Sequence, residues 1–425
     1  MNQTTPHTRT HLALIGTRFF WVAAGNVASK AMMFVANIWL ANRLLEQGFG
    51  ALNVAFTIVN YLALFAFSGI DTVATRHAAG LDEPLLRRCA GELVALRTVT
   101  SLALFVLSLA AGFLLPGMAG TMTVMYAFSF LPQCINVVNL FYGVEWTWPV
   151  TIYYIGGRVV YLGLLLAFVR GTADGAAAAL AFGAAILAEN VFLYVLWARR
   201  HGARMFASPR AATWLPAVPI MLASAAVLLH ENAGIIAVYA FRGESAAGLY
   251  CASYRLVYVA ISLTALFSFV YLARYTRIER GDAAARRLFF LRVAGVCMAA
   301  GLAASAVLSV IARPLVALVY RPVYADSGVL LSVAVWQFAL APVRVIAFQT
   351  LNACHAQRRA AAMALLGAVV SLAAVITGVM AYGIMGAVAG TIIGEAALGC
   401  ALCAAAVGAV NRAGAGTRSG NREEA

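Results

Sequence analysis

Residues 19–41 read FFWVAAGNVASKAMMFVANIWLA, and they carry a single charged side chain, Lys30. The hydrocarbon core of a bilayer is crossed by about 20 apolar residues, so this stretch is long enough to span it once. An ammonium group near the centre of such a span costs at least about 2.5 kcal/mol. Lys30 is also the only lysine of the chain. Its costly position therefore predicts a role in function.

The composition extends this interpretation to the whole chain. Of the 425 residues, 63% are hydrophobic and 11% are charged, and the mean hydropathy is +0.87. A soluble protein could not cover so apolar an interior with so few charges, so an integral membrane protein is predicted. The polar start MNQTTPHTRTH leads directly into the first span. It lacks a short apolar region with a cleavage site, so we expect no removable signal peptide.

Apolar stretches of spanning length recur from end to end and predict about twelve transmembrane helices. They lie near 19–41, 50–70, 93–115, 119–143, 150–169, 175–197, 214–240, 247–272, 290–311, 327–352, 360–381 and 384–409. With a cytoplasmic N-terminus, nineteen arginines fall in inner segments and five in outer ones. Positive charge accumulates on the cytoplasmic side, so both termini are expected inside. The net charge of +14 follows this distribution and does not indicate a nucleic-acid partner.

A basic connection at 198–213 divides the chain into two halves of six predicted spans. We predict an N-terminal bundle at 1–205 and a C-terminal bundle at 206–425. A shift of 198 residues aligns FGALNVAFTIV (49–59) with AGLYCASYRLV (247–257), a weak internal repeat of the kind found in duplicated transporters. No connection is long enough to form a catalytic domain outside the membrane. The fold class is therefore an all-α polytopic membrane protein, and an enzyme is not expected.

Polar side chains recur at helical spacing inside the predicted spans. Asn26, Lys30 and Asn37 share one face of the first predicted helix. The other stripes are Asn53, Thr57 and Asn60 on the second, Gln133, Asn136 and Asn139 on the fourth, and Gln337 and Arg344 on the tenth. Polar stripes cannot face acyl chains, and four are more than helix packing needs. They predict a water-accessible cavity whose asparagines and glutamine bind substrate.

Several ionisable side chains also lie inside the spans. Lys30, Arg158 and Arg255 lie deepest, and Arg344 is closer to the inner face. For all four we predict contact with substrate, with structural ion pairing as the alternative. Glu189 and Glu395 lie midway along the last helix of each half, where they either neutralise these cations or exchange protons.

The remaining ionisable residues lie nearer the ends of spans. Asp71, at an inner end, either contributes to charge balance or pairs with Arg76 at the interface. Arg97 begins its span and is expected to reach the cytoplasmic surface, and Arg292 likewise. The adjacent His230 and Glu231 point to different faces, and they either take part in cation coupling or include a satisfied histidine near the outer end of the helix. The seven cysteines mostly fall in apolar segments, which indicates buried thiols and no metal site.

Two long stretches resemble a known family. The run GNVASKAMMFVANIWLANRLLEQGFGALNVAFTIVNYLALFAFSGIDTVATRHAAG (25–80) resembles the first two helices of bacterial polysaccharide flippases. ENAGIIAVYAFRGESAAGLYCASYRLV (231–257) and IARPLVALVYRPVYADSGVLL (311–331) resemble the seventh to tenth helices of the same Wzx-type exporters. These belong to the multidrug/oligosaccharidyl-lipid/polysaccharide exporter superfamily. The resemblance covers about residues 15–405. One departure is LLEQGFG (44–50), which lacks the glycine common after the double leucine.

The resemblance implies two six-helix bundles around a central cavity that opens alternately to each side. Members of the family move polyprenyl-diphosphate-linked oligosaccharides from the cytoplasmic to the periplasmic leaflet of the bacterial inner membrane. The resemblance also implies basic cavity residues. Lys30 and Arg255 occupy matching positions, with weaker matches at Arg158 and Arg344.

The residues and the resemblance together favour a flippase for a precursor of lipopolysaccharide O-antigen or exopolysaccharide. Its cations would hold a diphosphate, and its polar stripes would bind sugars. The sequence has no GxxxxGK[ST] motif for ATP, so no cofactor is expected. The membrane potential, or a proton or sodium gradient, would supply the energy. The expected partners are the lipid-linked glycan, the bilayer and other polysaccharide-assembly proteins.

The alternative is a cation-coupled multidrug exporter of the same superfamily. Such an exporter needs carboxylates within the membrane, and Glu189 and Glu395 would serve. Its substrates are often cationic, and the buried cations Lys30 and Arg255 are a poor lining for them.

Overall fold

A computed structural model describes residues 6–202, 206–278 and 282–423, with side chains outside 6–24, 26, 223, 225–231, 260, 262–266, 268–270, 273 and 413–423. In these ranges the backbone forms helices and no strands, which confirms the all-α prediction. The helices are α1 (Pro6–Ala78), α2 (Glu83–Leu114), α3 (Gly117–Ala127), α4 (Val138–Gly143), α5 (Trp148–Phe168), α6 (Gly175–His201), α7 (Ala211–Trp214), α8 (Ala217–Tyr275), α9 (Ala283–Val319), α10 (Ala325–Ala334), α11 (Gln337–Ala353) and α12 (Gln357–Glu423). Short 3₁₀ helices lie at Phe128–Ile135 and Pro322–Tyr324.

Three of the long helices contain a break. The backbone is non-helical at Leu45 in α1 (φ 56°, ψ −175°), Gly243 in α8 (φ 83°, ψ −174°) and Gly383 in α12 (φ 62°, ψ −141°). Each break lies between two of the predicted spans. Leu45 and Gly243 are 198 residues apart, which is the offset of the internal repeat. The repeat in the sequence therefore coincides with a repeated backbone feature.

Six helices of the described chain are long and apolar enough to cross a membrane. A seventh results if the bent pair Pro322–Ala334 and Gln337–Ala353 is one span. The chain is therefore a multi-pass membrane protein. The count of twelve spans and the cytoplasmic location of both termini stay predictions.

The break at Gly243 allows a test of backbone strain. A Cβ there would meet no atom within 4 Å, so Gly243→Ala should add backbone strain alone. We expect the free energy of unfolding to fall by about 1–3 kcal/mol. Gly295 in α9 also has no atom within 4 Å of its Cβ position, but its φ is not positive. Gly295→Ala should therefore raise that free energy by about 0.5–1 kcal/mol. Chemical unfolding in detergent micelles measures the free energy of unfolding of both variants. Equal effects of the two substitutions would contradict the presence of backbone strain at Gly243.

Leu45 adopts nearly the same backbone conformation with a side chain in place. It belongs to LLEQGFG, the segment that departs from the family pattern by lacking a glycine. The break is therefore formed here by a residue with a side chain, although its backbone conformation is one that favours glycine.

The chain divides into two compact units, Met1–Ser224 and Ala225–Ala425. In the first unit α1 packs on α3 and α5, α2 packs on α3, and α5 packs on α6. At one end of this unit, Gly48 packs on Thr172: a Cβ built on the glycine would lie 3.5 Å from the Thr172 carbonyl oxygen. The opposite end joins His201 Nδ1 to Glu83 Oε1 at 3.0 Å. Consecutive long helices of the unit therefore run in opposite directions.

The first unit extends beyond residue 205 because α7 is anchored to α2. Trp214 Nε1 donates to Glu92 Oε2 at 3.2 Å, and Glu92 Oε1 pairs with Arg88 at 3.1 Å and Arg210 at 3.7 Å. The Glu92 and Trp214 side chains are buried. The first turns of α8 pack on α1, since a Cβ built on Gly69 would lie 2.7 Å from Met221 Cγ. The domain division at residues 205 and 206 stays a prediction.

In the second unit α11 packs against α9 and α12, and α10 packs against α9. The two parts of α12 approach closely through small residues. A Cβ built on Gly390 would lie 2.6 Å from the Ala374 carbonyl oxygen, and Gly386 and Gly394 face Gly378 and Ser371 in the same way. Gly399, a further glycine of GAVAGTIIGEAALG, has no atom within 4 Å of its Cβ position and takes no part.

Candidate functional site

Lys30 lies on an exposed side of α1, midway along the first predicted span. Its side chain is exposed, as are those of Val27, Ala31 and Val35 near it on the helix. Among the residues that the structure describes, no carboxylate pairs with it. Acyl chains cannot solvate an ammonium group, so this side of α1 must contact water or a polar ligand at that depth.

Arg158 of α5 lies at nearly the same depth as Lys30. The part of α1 before Leu45 runs parallel to α5, as two contacts show. A Cβ built on Gly25 would lie 2.9 Å from Thr151 Cγ2, and further along both helices Trp39 Nε1 donates to the Val169 carbonyl at 3.3 Å. Counted from either contact at 1.5 Å per residue, Lys30 and Arg158 differ in height by only about 3 Å. The first unit therefore places two cations at one level, on neighbouring helices.

Arg158 is paired loosely with Glu189 of α6. Arg158 Nη1 lies 3.9 Å from Glu189 Oε1, and the two side chains are 23% and 4% exposed. Gly157 makes room for this carboxylate, because a Cβ at that position would coincide with the end of the Glu189 side chain. Tyr153, one turn earlier on α5, also interacts with Glu189. Arg158 therefore has the ion-pair partner that the alternative prediction named, but its guanidinium lies far from the Glu189 carboxylate for an ion pair.

A second ion pair in the first unit joins Asp71 of α1 to Arg97 of α2. The Arg97 side chain is 2% exposed and lies over the Phe67 ring, 4.9 Å from its centroid. The expectation for Arg97 is corrected, and of the two alternatives for Asp71 the pairing with Arg76 is excluded. Arg97 does not reach the surface, and Asp71 pairs with Arg97 while Arg76 is exposed. The reason is that α2 begins at Glu83, ten residues before the predicted start, so Arg97 lies about 21 Å along it.

Hydrogen bonds extend from this pair to Tyr153, which interacts with Glu189 of the other pair. Arg97 Nη1 donates to Gln133 Oε1 at 3.5 Å, and Asn136 Nδ2 donates to the same oxygen at 2.9 Å. Asn136 Nδ2 also lies 3.4 Å from the Tyr153 hydroxyl, which reaches Glu189. A polar network of side chains therefore runs through the first unit and includes two positive and two negative groups.

The second unit has its own ion pair between the predicted residues Arg344 of α11 and Glu395 of α12. Arg344 Nε lies 2.6 Å from Glu395 Oε1, and the side chains are 19% and 7% exposed. Gln337 Nε2 donates to Thr391 Oγ1 at 2.9 Å, and these residues lie about two turns before Arg344 and one turn before Glu395. This pair is much closer than Arg158–Glu189. It supports the ion-pairing interpretation of Glu395.

The other predicted residues are spread over both units. Arg255 of α8 is half-buried beside Cys251 and Tyr320. Asn37 and Asn53 are buried, and their amides donate to Met33 and Phe49 carbonyls of their own helix at 2.7 and 2.8 Å. Asn60 is half-buried. The side chains of Asn26, His230 and Glu231 lie outside the described residues. Substrate binding by these residues and coupling by the carboxylates stay predictions.

Comparison with protein families matches residues 15–278 to the polysaccharide biosynthesis proteins. The chain belongs to this family. A comparison with curated proteins found no match. Because the family match covers most of the chain, the resemblance inferred from the sequence is confirmed.

Three solved structures are similar in fold to this family member. An inward-facing multidrug resistance MATE family transporter of the MOP superfamily has a TM-score of 0.73 and 16% identity, over 92% of this chain and 96% of that chain. The lipid II flippase MurJ in an inward closed conformation has a TM-score of 0.76 and 10% identity, over 92% and 89%. A MOP superfamily transporter from Pyrococcus furiosus has a TM-score of 0.66 and 13% identity, over 93% and 96%. The fold is therefore that of these transporters.

Sequence reasoning missed Arg97 and Tyr153 in the network, Gly157 beside Glu189, and Asn190, whose Nδ2 donates to the Pro132 carbonyl at 3.0 Å. Arg97 was assigned to the surface, and Tyr153, Gly157 and Asn190 were not considered. The sequence does contain a signal for Gly157 and Arg158. A Gly-Gly pair at 156–157 directly precedes the arginine inside an apolar helix, which indicates a close approach by another side chain. For Tyr153 and Asn190 no pattern in the sequence distinguishes them from ordinary polar residues of a membrane helix.

Proposed function

We propose that the protein moves a polyprenyl-diphosphate-linked oligosaccharide from the cytoplasmic to the periplasmic leaflet of the bacterial inner membrane by alternating access. The observation that carries the proposal is the exposed Lys30, level with the loosely paired Arg158. A diphosphate that enters the membrane must replace its water by cations and hydrogen-bond donors. Lysine supplies a compact charge, and arginine supplies a planar fork that fits phosphate oxygens.

Family membership supports this substrate class, and the fold of the lipid II flippase MurJ is compatible with it. The isoprenoid tail would stay in the bilayer while the head group passes the cations. With the cytoplasm negative, outward movement of each negative charge releases about 2.3 kcal/mol per 100 mV. The membrane potential therefore favours export, and a proton or sodium gradient is a further candidate source of energy. We also propose that the glycan is a precursor of O-antigen or exopolysaccharide, received from other assembly proteins.

Substitution of Lys30 provides the test. In cells whose own copy of the gene is deleted, Lys30→Ala should abolish surface glycan because the diphosphate loses its exposed cation. Lys30→Arg should retain most of it, since the charge remains. Surface glycan is measured by antibody or lectin binding, and the leaflet of the lipid-linked glycan by accessibility to a periplasmic label. The intermediate should accumulate in the cytoplasmic leaflet of the Lys30→Ala strain.

Arg292→Ala is the matched control, because this arginine is exposed near the start of α9 and lies outside the proposed site. It should display normal glycan at equal abundance of the protein in the membrane. Normal glycan in both Lys30→Ala and Arg255→Ala strains would overturn the proposal.

The second candidate is a cation-coupled multidrug exporter, supported by the fold similarity to the MATE transporter. The carboxylates Asp71, Glu189 and Glu395 each pair with an arginine, which leaves them less available to a cationic drug. Drug resistance on overexpression, together with unchanged glycan in the deletion strain, would favour this candidate over the flippase.

A further inference from the structure

The polar network of the first unit contains buried atoms that form no hydrogen bond with the described residues. Among them are Arg97 Nε, Arg158 Nη1, Glu189 Oε1 and Asn190 Oδ1. Asn190 follows Glu189 on α6, and its Nδ2 donates to the carbonyl of Pro132, the residue before Gln133, at 3.0 Å. Three of these atoms therefore belong to the two ion pairs, and the fourth lies on the residue that follows Glu189 on α6.

The energetic cost of leaving such atoms unsatisfied is large. A buried donor or acceptor without a partner costs about 1–3 kcal/mol. For this reason more than nine in ten buried polar groups in folded proteins are hydrogen-bonded to protein or to ordered water. Several unsatisfied atoms within one network indicate that the network has a bound ligand as a further partner.

The chemistry of the atoms determines what that ligand is. Arg97 Nε and Arg158 Nη1 are donors, whereas Glu189 Oε1 and Asn190 Oδ1 are acceptors. A metal cation would satisfy the acceptors alone, and an inorganic anion would satisfy the donors alone. Water both donates and accepts, and buried water typically makes about three hydrogen bonds.

The geometry of the Arg158–Glu189 pair agrees with water. Its 3.9 Å separation is too long for a direct hydrogen bond but suits one molecule that bonds to both atoms from the side. Water can reach the network, since the Asp71 side chain is 37% exposed and that of Arg158 is 23% exposed.

We propose that ordered water molecules occupy the interior of the first unit and bridge Arg158 to Glu189 and Asn190. They join the Asp71–Arg97 and Arg158–Glu189 pairs into one hydrated polar path. The proposal concerns the first unit alone and does not depend on the transported substrate.

Radiolytic hydroxyl-radical labelling of the purified protein in nanodiscs tests this, because ordered water next to a side chain generates the radical in place. Tyr153 and Tyr161 are 8% and 1% exposed and lie two turns apart on α5. Tyr153 borders the network and should be labelled several-fold faster than Tyr161. Equal protection of the two tyrosines would overturn the proposal without any variant.

Two variants assign the labelling to the network. Asn190→Leu removes an acceptor and should lower Tyr153 labelling several-fold. Thr123→Val is the matched control, since its buried hydroxyl donates to Ala119 of its own helix at 2.7 Å. It should leave Tyr153 labelling unchanged. Labelling that instead falls on addition of sodium chloride or inorganic phosphate would identify an ion at this site and overturn the assignment to water.

Discussion

Asp71→Asn should lower the free energy of unfolding by about 3–5 kcal/mol, because it leaves a buried cation without its counter-charge. The Arg97 guanidinium is 2% exposed and pairs with Asp71. Asparagine keeps the shape of the side chain but removes the negative charge. Chemical unfolding in detergent micelles measures the effect, and the abundance of the protein in membranes should fall with it.

Removal of the arginine should be milder than removal of the aspartate. Arg97→Leu takes away the buried charge itself, and the remaining Asp71 side chain is 37% exposed, so water can solvate it. The double variant Asp71→Asn/Arg97→Leu should accordingly be more stable than Asp71→Asn alone. A double variant no more stable than Asp71→Asn would contradict the charge argument.

A surface ion pair gives the matched control. Arg87 Nε lies 3.6 Å from Glu83 Oε1, and the side chains are 51% and 46% exposed. Arg87→Gln should change the free energy of unfolding by no more than about 1 kcal/mol, since exposed pairs are screened by water.

Gly157→Ala should separate Glu189 from Arg158 and stop glycan export. The new Cβ would occupy the place of the Glu189 carboxylate, which must turn away. We expect a loss of about 1–3 kcal/mol in the free energy of unfolding from overpacking. Surface glycan should be lost as well, because the Arg158 guanidinium loses the carboxylate that orients it. Unfolding in detergent and glycan display in a deletion strain are the two measurements.

The neighbouring glycine makes this test specific. A Cβ at Gly156 would meet no atom within 4 Å, although it lies on the same helix next to Gly157. Gly156→Ala should keep glycan display and should raise the free energy of unfolding by about 0.5–1 kcal/mol. If both substitutions have the same effect, the close approach of Glu189 to Gly157 is not what matters.

The predicted fourth span, 119–143, is divided into α3, a 3₁₀ helix and α4. Hydropathy otherwise located apolar helices because a membrane span must be both apolar and long. It predicted their ends poorly where a helix continues beyond the membrane. The first turns of α2, EPLLRRCAGEL, are polar enough to be placed in a loop, so Arg97 was assigned to the start of a span. Helical spacing also identified Asn37 and Asn53 as one-sided polar residues. It could not reveal that their amides bond to carbonyls of their own helix.

The candidate site was predicted as single residues and not as pairs. Asp71 and Arg97 are 26 residues apart, and Arg344 and Glu395 are 51 apart. Which cation meets which carboxylate depends on how the helices pack, and one sequence does not contain that information. The apolar stretches and the polar stripes within them, by contrast, could be read from the local sequence alone.

The anchoring of Trp214 on Glu92 bears on how the protein can be divided for co-expression of its halves. A cut in the basic connection near residue 205 would place α7 in the C-terminal fragment. The buried Glu92 carboxylate of the N-terminal fragment would then lose its hydrogen bond from Trp214. A cut between Trp214 and Ala217, where α7 ends and α8 begins, keeps the tryptophan with α2, on which it packs. The gene is therefore best split downstream of the arginine-rich stretch, at a point that charge and loop length alone would not have chosen.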